Sequence, residues 1–251
     1  MSNATHLREL GPTFGFWCTT GDPALVDAAA SVGPDFICID TQHGVDLGRL
    51  DASVFTVMAN YGVAGLVRVE SIDPGRIGRA LDLGAAGIIV PLVDSVEDAA
   101  AAVHATRHSP RGGRSYGMQT RRVGPFDEAP FVLIQVETAG AVDDIEAIAA
   151  VDGVDGLYIG PADLGMGLGA VPAPNVNEVF DGTHPHAGIL GRAFGAVVAA
   201  ATANGIAPGL HCGDGASAAR AFSEGFTFAA VASDLGLVGV GLREHLAIAR
   251  R

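Results

Sequence analysis

The chain of 251 residues contains no lysine. Its 15 basic side chains are therefore all arginine, set against 28 acidic ones, for a formal charge of −13. Without a side-chain amine no enzyme-linked Schiff base can form, so any carbonyl chemistry here runs by another route. The negative balance repels phosphate backbones and anionic lipid, which argues for no nucleic acid and no membrane among its partners. A small anionic substrate needs a local positive feature, an arginine or a metal, to overcome that field. Cysteine is scarce too. Cys18, Cys38 and Cys212 are odd in number and widely spaced, giving neither a disulfide framework nor a zinc knuckle. Small buried thiols in a reducing cytoplasm are the expectation. The N-terminus lacks a charged-then-apolar leader pattern, and no apolar stretch has the length and flanks of a membrane span.

What the chain has is glycine, alanine and short β-branched runs, with 49% hydrophobic and only 17% charged residues. That composition suits a tightly wound α/β protein with a large core. Apolar runs recur evenly at 13–18, 35–40, 65–69, 87–91, 131–137, 156–160, 208–211 and 226–232. Between them lie helix-like segments at 23–31, 46–60, 74–83, 95–106, 141–150 and 188–203. Asp22-Pro23 and Asp73-Pro74 each place a capping acid before a proline at the first helical position. Gly33, Gly62, Gly84, Gly153, Gly205 and Gly225 are placed to close helices.

About eight β/α units in about 250 residues predict a single (β/α)8 TIM barrel over residues 1–251. A doubly wound open sheet competes, but no dinucleotide fingerprint follows the early strands. Residues 107–130 and 165–188 are the longest irregular stretches, read as functional loops or subunit contacts.

In a barrel, chemistry sits at the carboxyl ends of the strands. The run Phe36-Ile-Cys-Ile-Asp40-Thr-Gln42-His43-Gly44 ends in an acid, an amide and an imidazole, which a buried strand has no packing reason to do. His43 reads as an acid/base group, or as a histidine bonded to a loop carbonyl. Arg68, inside Leu66-Val67-Arg68-Val69, needs an anionic partner. Other strand ends carry Trp17, Gln135 with Glu137, Gly160 with Asp163, and His211. Glu137 and Asp163 follow consecutive strands. Two carboxylates at one mouth raise each other's pKa or share a divalent cation, and hard oxygen ligands with room for water favour Mg2+ or Mn2+ over zinc. Asp163 taken alone reads equally as a helix cap, and Asp82 as a solvated helical charge. His211-Cys212-Gly213-Asp214 is spaced too tightly for a tetrahedral metal site and reads as a strand end and turn. His184-Pro185-His186 reads as an ordered loop, and the basic stretch 111–122 as a loop that pairs with acids.

These residues, with Leu81-Asp82-Leu-Gly84-Ala-Ala-Gly87-Ile-Ile-Val-Pro91, Arg114-Ser-Tyr-Gly117, Gln135-Val-Glu137-Thr138, Gly160-Pro161-Ala162-Asp163-Leu164 and Ala232-Ser-Asp234, resemble the HpcH/HpaI family of metal-dependent pyruvate aldolases from end to end. The resemblance implies a (β/α)8 barrel with an exchanged C-terminal helix. It implies Mg2+, Mn2+ or Co2+ held by Glu137 and Asp163, with Arg68 at a keto oxygen and His43 as acid/base. It implies a supporting role for Asp82, across a subunit boundary, in a homotrimer or homohexamer. The expected substrate contacts are Trp17, Gln135 and the Gly160, Pro161 and Ala162 turn, whose backbone N–H groups would take a carboxylate. The expected reaction forms or cleaves 4-hydroxy-2-keto acids from pyruvate or another 2-keto acid plus an aldehyde. A lyase of the oxaloacetate-decarboxylating or citrate/acyl-CoA type and a non-catalytic keto-acid-binding barrel are the alternatives. Two departures stand out: Gln42 where many relatives carry Glu, and Ala86 where many carry Gln.

Overall fold

The computed structural model describes residues 5–45, 50–117, 129–171 and 173–251. Eight parallel strands close into a barrel in chain order. They are β1 (Thr13–Cys18), β2 (Phe36–Asp40), β3 (Ala64–Arg68), β4 (Gly87–Val90), β5 (Phe131–Val136), β6 (Gly156–Ile159), β7 (Ala207–His211) and β8 (Phe228–Ser233). Every expected strand is present, with ends shifted by no more than two residues. The helices are α1 (Pro23–Ala30), α2 (Ala52–Asn60), α3 (Pro74–Leu83), α4 (Val96–Thr106), α5 (Ala139–Asp143), α6 (Ile145–Ala149), α7 (Pro161–Gly167), α8 (Val176–Phe180), α9 (Ala187–Asn204), α10 (Gly215–Ser223) and α11 (Asp234–Ala249).

The caps explain where helices begin. Asp22 accepts from the N–H groups of Ala24 and Leu25, and Asp73 from that of Arg76. Gly84 ends α3 at φ 113°, a conformation that a Cβ would strain. Three expectations need correction. Asp51, whose side chain accepts from Ser53, starts α2 at Ala52; residues 46–49 of the expected helix lie outside the described residues. The expected helix at 141–150 is two, because Asp144 (φ −98°, ψ 13°) leaves helical geometry between α5 and α6. The irregular stretch at 165–188 holds α8, capped by Asn175. Of the other long stretch and its basic segment, residues 118–128 lie outside the described residues.

Strand alternation divides the core in two. Inward-facing Trp17, Phe36, Cys38, Leu66, Ile89, Phe131, Leu133, Tyr158 and Phe228 fill the barrel. Outward-facing Ile37, Ile39, Val67, Ile88, Leu157 and Leu210 pack under the helices. Large and small residues interlock inside: a Cβ on Gly15 would lie 1.9 Å from the Phe36 ring. The barrel is thus plugged below, and the polar side chains considered next gather at its carboxyl-end rim. By length and composition α9 is apolar enough to cross a membrane, contrary to the sequence expectation. It is a packed layer helix here, seating Leu190, Phe194 and Val197 against β6, β7, α6 and α8. The terminal α11 differs. Only Asp234 is buried along its length, while Leu237, Val238, Val240 and Leu242 are more than half exposed.

Candidate active site

The polar rim is assembled around Asp40. Strand pairing sets Asp40 opposite Arg68. Arg68 Nε donates to Asp40 Oδ1 at 2.9 Å and Nη2 to Oδ2 at 2.5 Å. Oδ1 also accepts the backbone N–H groups of Gln42 and His43, each at 3.1 Å, and Oδ2 accepts Trp17 Nε1 at 3.2 Å. Burial by itself would raise the Asp40 carboxyl; the Arg68 fork and these N–H donors hold it below its usual range. Burial likewise works against the Arg68 charge, and Asp40 restores it. The expected anionic partner of Arg68 is therefore Asp40. The guanidinium lies 5.0 Å from the Trp17 ring centre.

Glu137 forms the second focus. It is 2% exposed, and Gln135 Nε2 donates to its Oε2. Its Oε1 accepts the N–H of Leu92 at 2.8 Å. Leu92 reaches that position at φ +56°, a strained backbone for a branched side chain, and so presents an N–H to the carboxylate. Burial pushes Glu137 above the ordinary carboxylate range, and the negative charge of Asp163 pushes further. Thr138 caps the next helix by accepting from Ala141 N, which leaves Glu137 free of that task. A Cβ on Gly160 would meet Glu137 Oε2 at 2.8 Å and Gln135 Nε2 at 2.9 Å, so a larger residue here would push these two side chains aside. Asp163 lies in the first turn of α7, whose cap position is Gly160. The cap reading of Asp163 does not hold.

The expected carboxylate turn is narrower than the sequence suggested. Gly160 N–H already donates to Val136 O, and Pro161 has no N–H. The N–H groups of Ala162 and Asp163, at the start of α7, are left without intrahelical acceptors. His43 sits at the exposed rim, and its imidazole makes no hydrogen bond to another described residue; the loop-carbonyl reading finds no partner. Asp82 is not among this group. It stands one residue before the end of α3, where the chain turns toward the amino end of β4, and pairs with Arg114 at 2.6 Å. Arg114 belongs to the basic stretch read as pairing with acids. His184 Nδ1 accepts from His186 N in the turn before α9, an ordered loop as expected.

Two features escaped sequence reasoning. The Leu92 N–H carries no sequence signal, because backbone strain is invisible in residue type. Buried Tyr158 and half-buried His211 form a polar pair beneath the rim, with Oη and Nδ1 3.1 Å apart. An inward tyrosine two residues before the strand-end Gly160 was the available signal.

The donor set suits a hard divalent cation. Among the described residues no group of three or more His, Cys, Asp or Glu is placed to hold a metal, so a closed cage is excluded there. Glu137 and Asp163 offer carboxylate oxygens, and Gln135 Oε1 is buried without a partner beside them. An ion that keeps water and takes substrate oxygens needs no more than that.

The family model described as HpcH/HpaI aldolase/citrate lyase matches residues 13–239. A 4-hydroxy-2-oxovalerate aldolase from Novosphingobium aromaticivorans is 36% identical, over 80% of this chain and 77% of its own length. A hydroxypyruvate/pyruvate aldolase from Cupriavidus necator is 32% identical, over 96% of this chain and 89% of its own. An HpcH/HpaI aldolase/citrate lyase family protein from Burkholderia cenocepacia J2315 superposes with a TM-score of 0.86 at 32% identity, covering 98% of both chains.

Proposed function

The chain belongs to the HpcH/HpaI aldolase/citrate lyase family, and from that premise we propose that it is a pyruvate-type aldolase, a lyase that cleaves or forms 4-hydroxy-2-keto acids. The observation that carries this reading is the pairing of a fixed guanidinium, Arg68 on Asp40, with a desolvated carboxylate, Glu137, at one barrel mouth.

The hard step is to make carbon nucleophilic next to a ketone. A ketone α-proton is less acidic than imidazolium by roughly ten pK units, about 14 kcal/mol at 1.36 per unit. Arg68 contributes to closing that gap. Its Nε and one Nη2 proton are spent on Asp40, leaving Nη1 to meet the keto oxygen as negative charge grows there. Glu137 and Asp163, helped by Gln135 Oε1, would hold Mg2+, Mn2+ or Co2+. Such an ion supplies Lewis-acid stabilisation of the same oxygen. Ala162 and Asp163 N–H groups receive the substrate carboxylate. In the cleavage direction His43 takes the proton of the 4-hydroxyl, the C3–C4 bond breaks, the aldehyde leaves, and the enolate is reprotonated at C3 to give the keto acid.

The partners proposed are therefore pyruvate or a related 2-keto acid and an aldehyde. An acyl-CoA substrate wants a basic groove, and a chain of charge −13 offers little of one. The buried, unpaired thiols fit the cytoplasm. A homotrimer or homohexamer with α11 exchanged would cover that helix's apolar surface and bring Asp82 to a neighbour's mouth.

The test is pyruvate release from a panel of 4-hydroxy-2-keto acids, together with exchange of pyruvate methyl protons in D2O. Turnover of at least one panel member with exchange is expected. A chain that does neither is not an aldolase of this type.

A further inference from the structure

His211 is not used by the reaction as derived above. It ends β7, and strand alternation turns its side chain into the barrel, because Leu210 and Cys212 on either side face the helices. In a closed eight-stranded barrel β7 stands across from β3, which carries Arg68. Trp17 of β1 links the two walls: Arg68 lies 5.0 Å from its ring centre and His211 lies edge-on at 4.7 Å. Tyr158 stacks parallel to the same indole at 5.9 Å and holds His211 Nδ1 through its hydroxyl. The imidazole is thus fixed from below and from the side. Nε2 makes no hydrogen bond to another described residue, and it is not among the sealed, unpartnered polar atoms. That nitrogen opens into the mouth.

Burial, and then the positive charge of Arg68, keep this ring neutral, with its pKa pushed down to about 4. Tyr158 in turn is kept protonated by its own burial; with its O–H donated to Nδ1, the tautomer this inference takes, the remaining ring proton sits on Nε2. A neutral N–H donor at this place does not attract a second carboxylate as a cation would. It suits a hydroxyl or carbonyl oxygen.

Resting on the aldolase reading above, we propose that His211 selects the aldehyde, favouring aldehydes with an oxygen on the carbon next to the carbonyl. A keto acid whose C2 oxygen is at Arg68 runs over the Trp17 indole, and its C5 substituent then arrives on the His211 side. An α-hydroxyaldehyde places its hydroxyl there. An alkyl aldehyde of the same size places a methyl group against an unpaired N–H, and leaving that donor unmatched carries a desolvation penalty. Tyr158 is the positioning residue behind it.

The experiment compares glycolaldehyde with propanal, which has a methyl group in place of the hydroxyl, as acceptors for pyruvate. The readout is the ratio of their kcat/KM values, which cancels any general loss of activity. The native enzyme should favour glycolaldehyde, on the order of tenfold. His211→Leu should bring that ratio to about one or below, and His211→Gln, which keeps an N–H donor, should retain most of the preference. Tyr158→Phe keeps the ring stack, frees the imidazole to turn, and should lower the ratio in part. It decides the matter if His211→Leu fails to fold. A native ratio below one, or a ratio that neither His211→Leu nor Tyr158→Phe moves, overturns the assignment. Pyruvate methyl exchange by the native enzyme separates the two levels. Exchange with an unmoved ratio rejects His211 alone, whereas no exchange and no product with either aldehyde rejects the aldolase reading and this inference with it.

Discussion

Asp40 and Arg68 occupy facing positions of β2 and β3, and the acid spends both oxygens on the guanidinium while collecting three further N–H donors. One interaction thereby fixes the guanidinium proposed to meet the keto oxygen, the indole beside it and the loop that carries His43. Breaking a buried pair from one side is costly because the survivor stays charged. Asp40→Asn should destabilise the fold by about 3–5 kcal/mol in denaturant titration. It should also slow pyruvate methyl exchange, as the guanidinium loses its register. The double change Asp40→Asn with Arg68→Met should recover much of the stability and none of the exchange. Equal stability for the single and double variants would show that the pair is not coupled in the way described.

The carboxylate focus makes a prediction that needs no substrate. Mn2+ titrated into the protein and followed by electron paramagnetic resonance should report a site that Glu137→Gln abolishes. Gln135→Leu removes the amide bonded to Glu137 and should weaken the ion by about 10–100-fold, the usual effect of losing a partner that orients a ligand. Excess chelator should stop pyruvate release, and Mg2+, Mn2+ or Co2+ should restore it. Full turnover in chelator would remove the ion from the reaction.

The barrel was legible in the sequence because strand and helix periods alternate and Asp-Pro caps mark the helix starts; Asp22 and Asp73 cap where their residue type says they should. Arg68 announced its own partner, since an arginine in a buried strand has few alternatives. The interruption at Asp144 was not legible. Ala141 to Ala150 reads as one amphipathic run, and only backbone geometry divides it. Leu92 shows the same limit at the site: its strained φ aims an N–H at Glu137, and leucine as a residue type gives no hint of it. His211 was discounted on ligand spacing, which says nothing about a stack against Trp17 and Tyr158. Asp82 was named through family resemblance, and within one chain it pairs with Arg114 instead of joining the mouth.

His211 also has a signature in acid. Its folded pKa of about 4 lies below the ordinary value of 6.5, so between these the unfolded chain binds the proton and the folded one does not. Stability from this group is therefore present above pH 6.5 and lost as pH falls toward 4. The charged and titratable groups facing the ring are Arg68, which disfavours its protonation, Asp40, which favours it, and Tyr158, which stays neutral. The loss is on the order of 3 kcal/mol over that window. Denaturant titrations at pH 7 and pH 4.5 should show His211→Gln losing less stability than the native chain. Parallel losses would mean that the imidazole is not held neutral in the folded state.

The terminal helix supplies the last prediction. Isolated helices of about 16 residues are marginal in water, and α11 offers little of its own surface to the barrel beyond β8 and β1. Its start is nonetheless firmly anchored. Asp234 accepts from the backbone and hydroxyl groups of both Thr19 and Thr20, and these bonds hold it below the usual carboxylate range against its burial. A fixed origin with an uncovered apolar shaft fits the proposed exchange of α11 between subunits. Leu237→Glu with Leu242→Glu should lower the mass measured by sedimentation equilibrium to that of a single chain. If Asp82 acts at a neighbour's mouth as proposed, pyruvate release should fall together with the mass. A native chain that sediments as a monomer, or a double variant that stays assembled, would show that α11 is not the element joining the subunits.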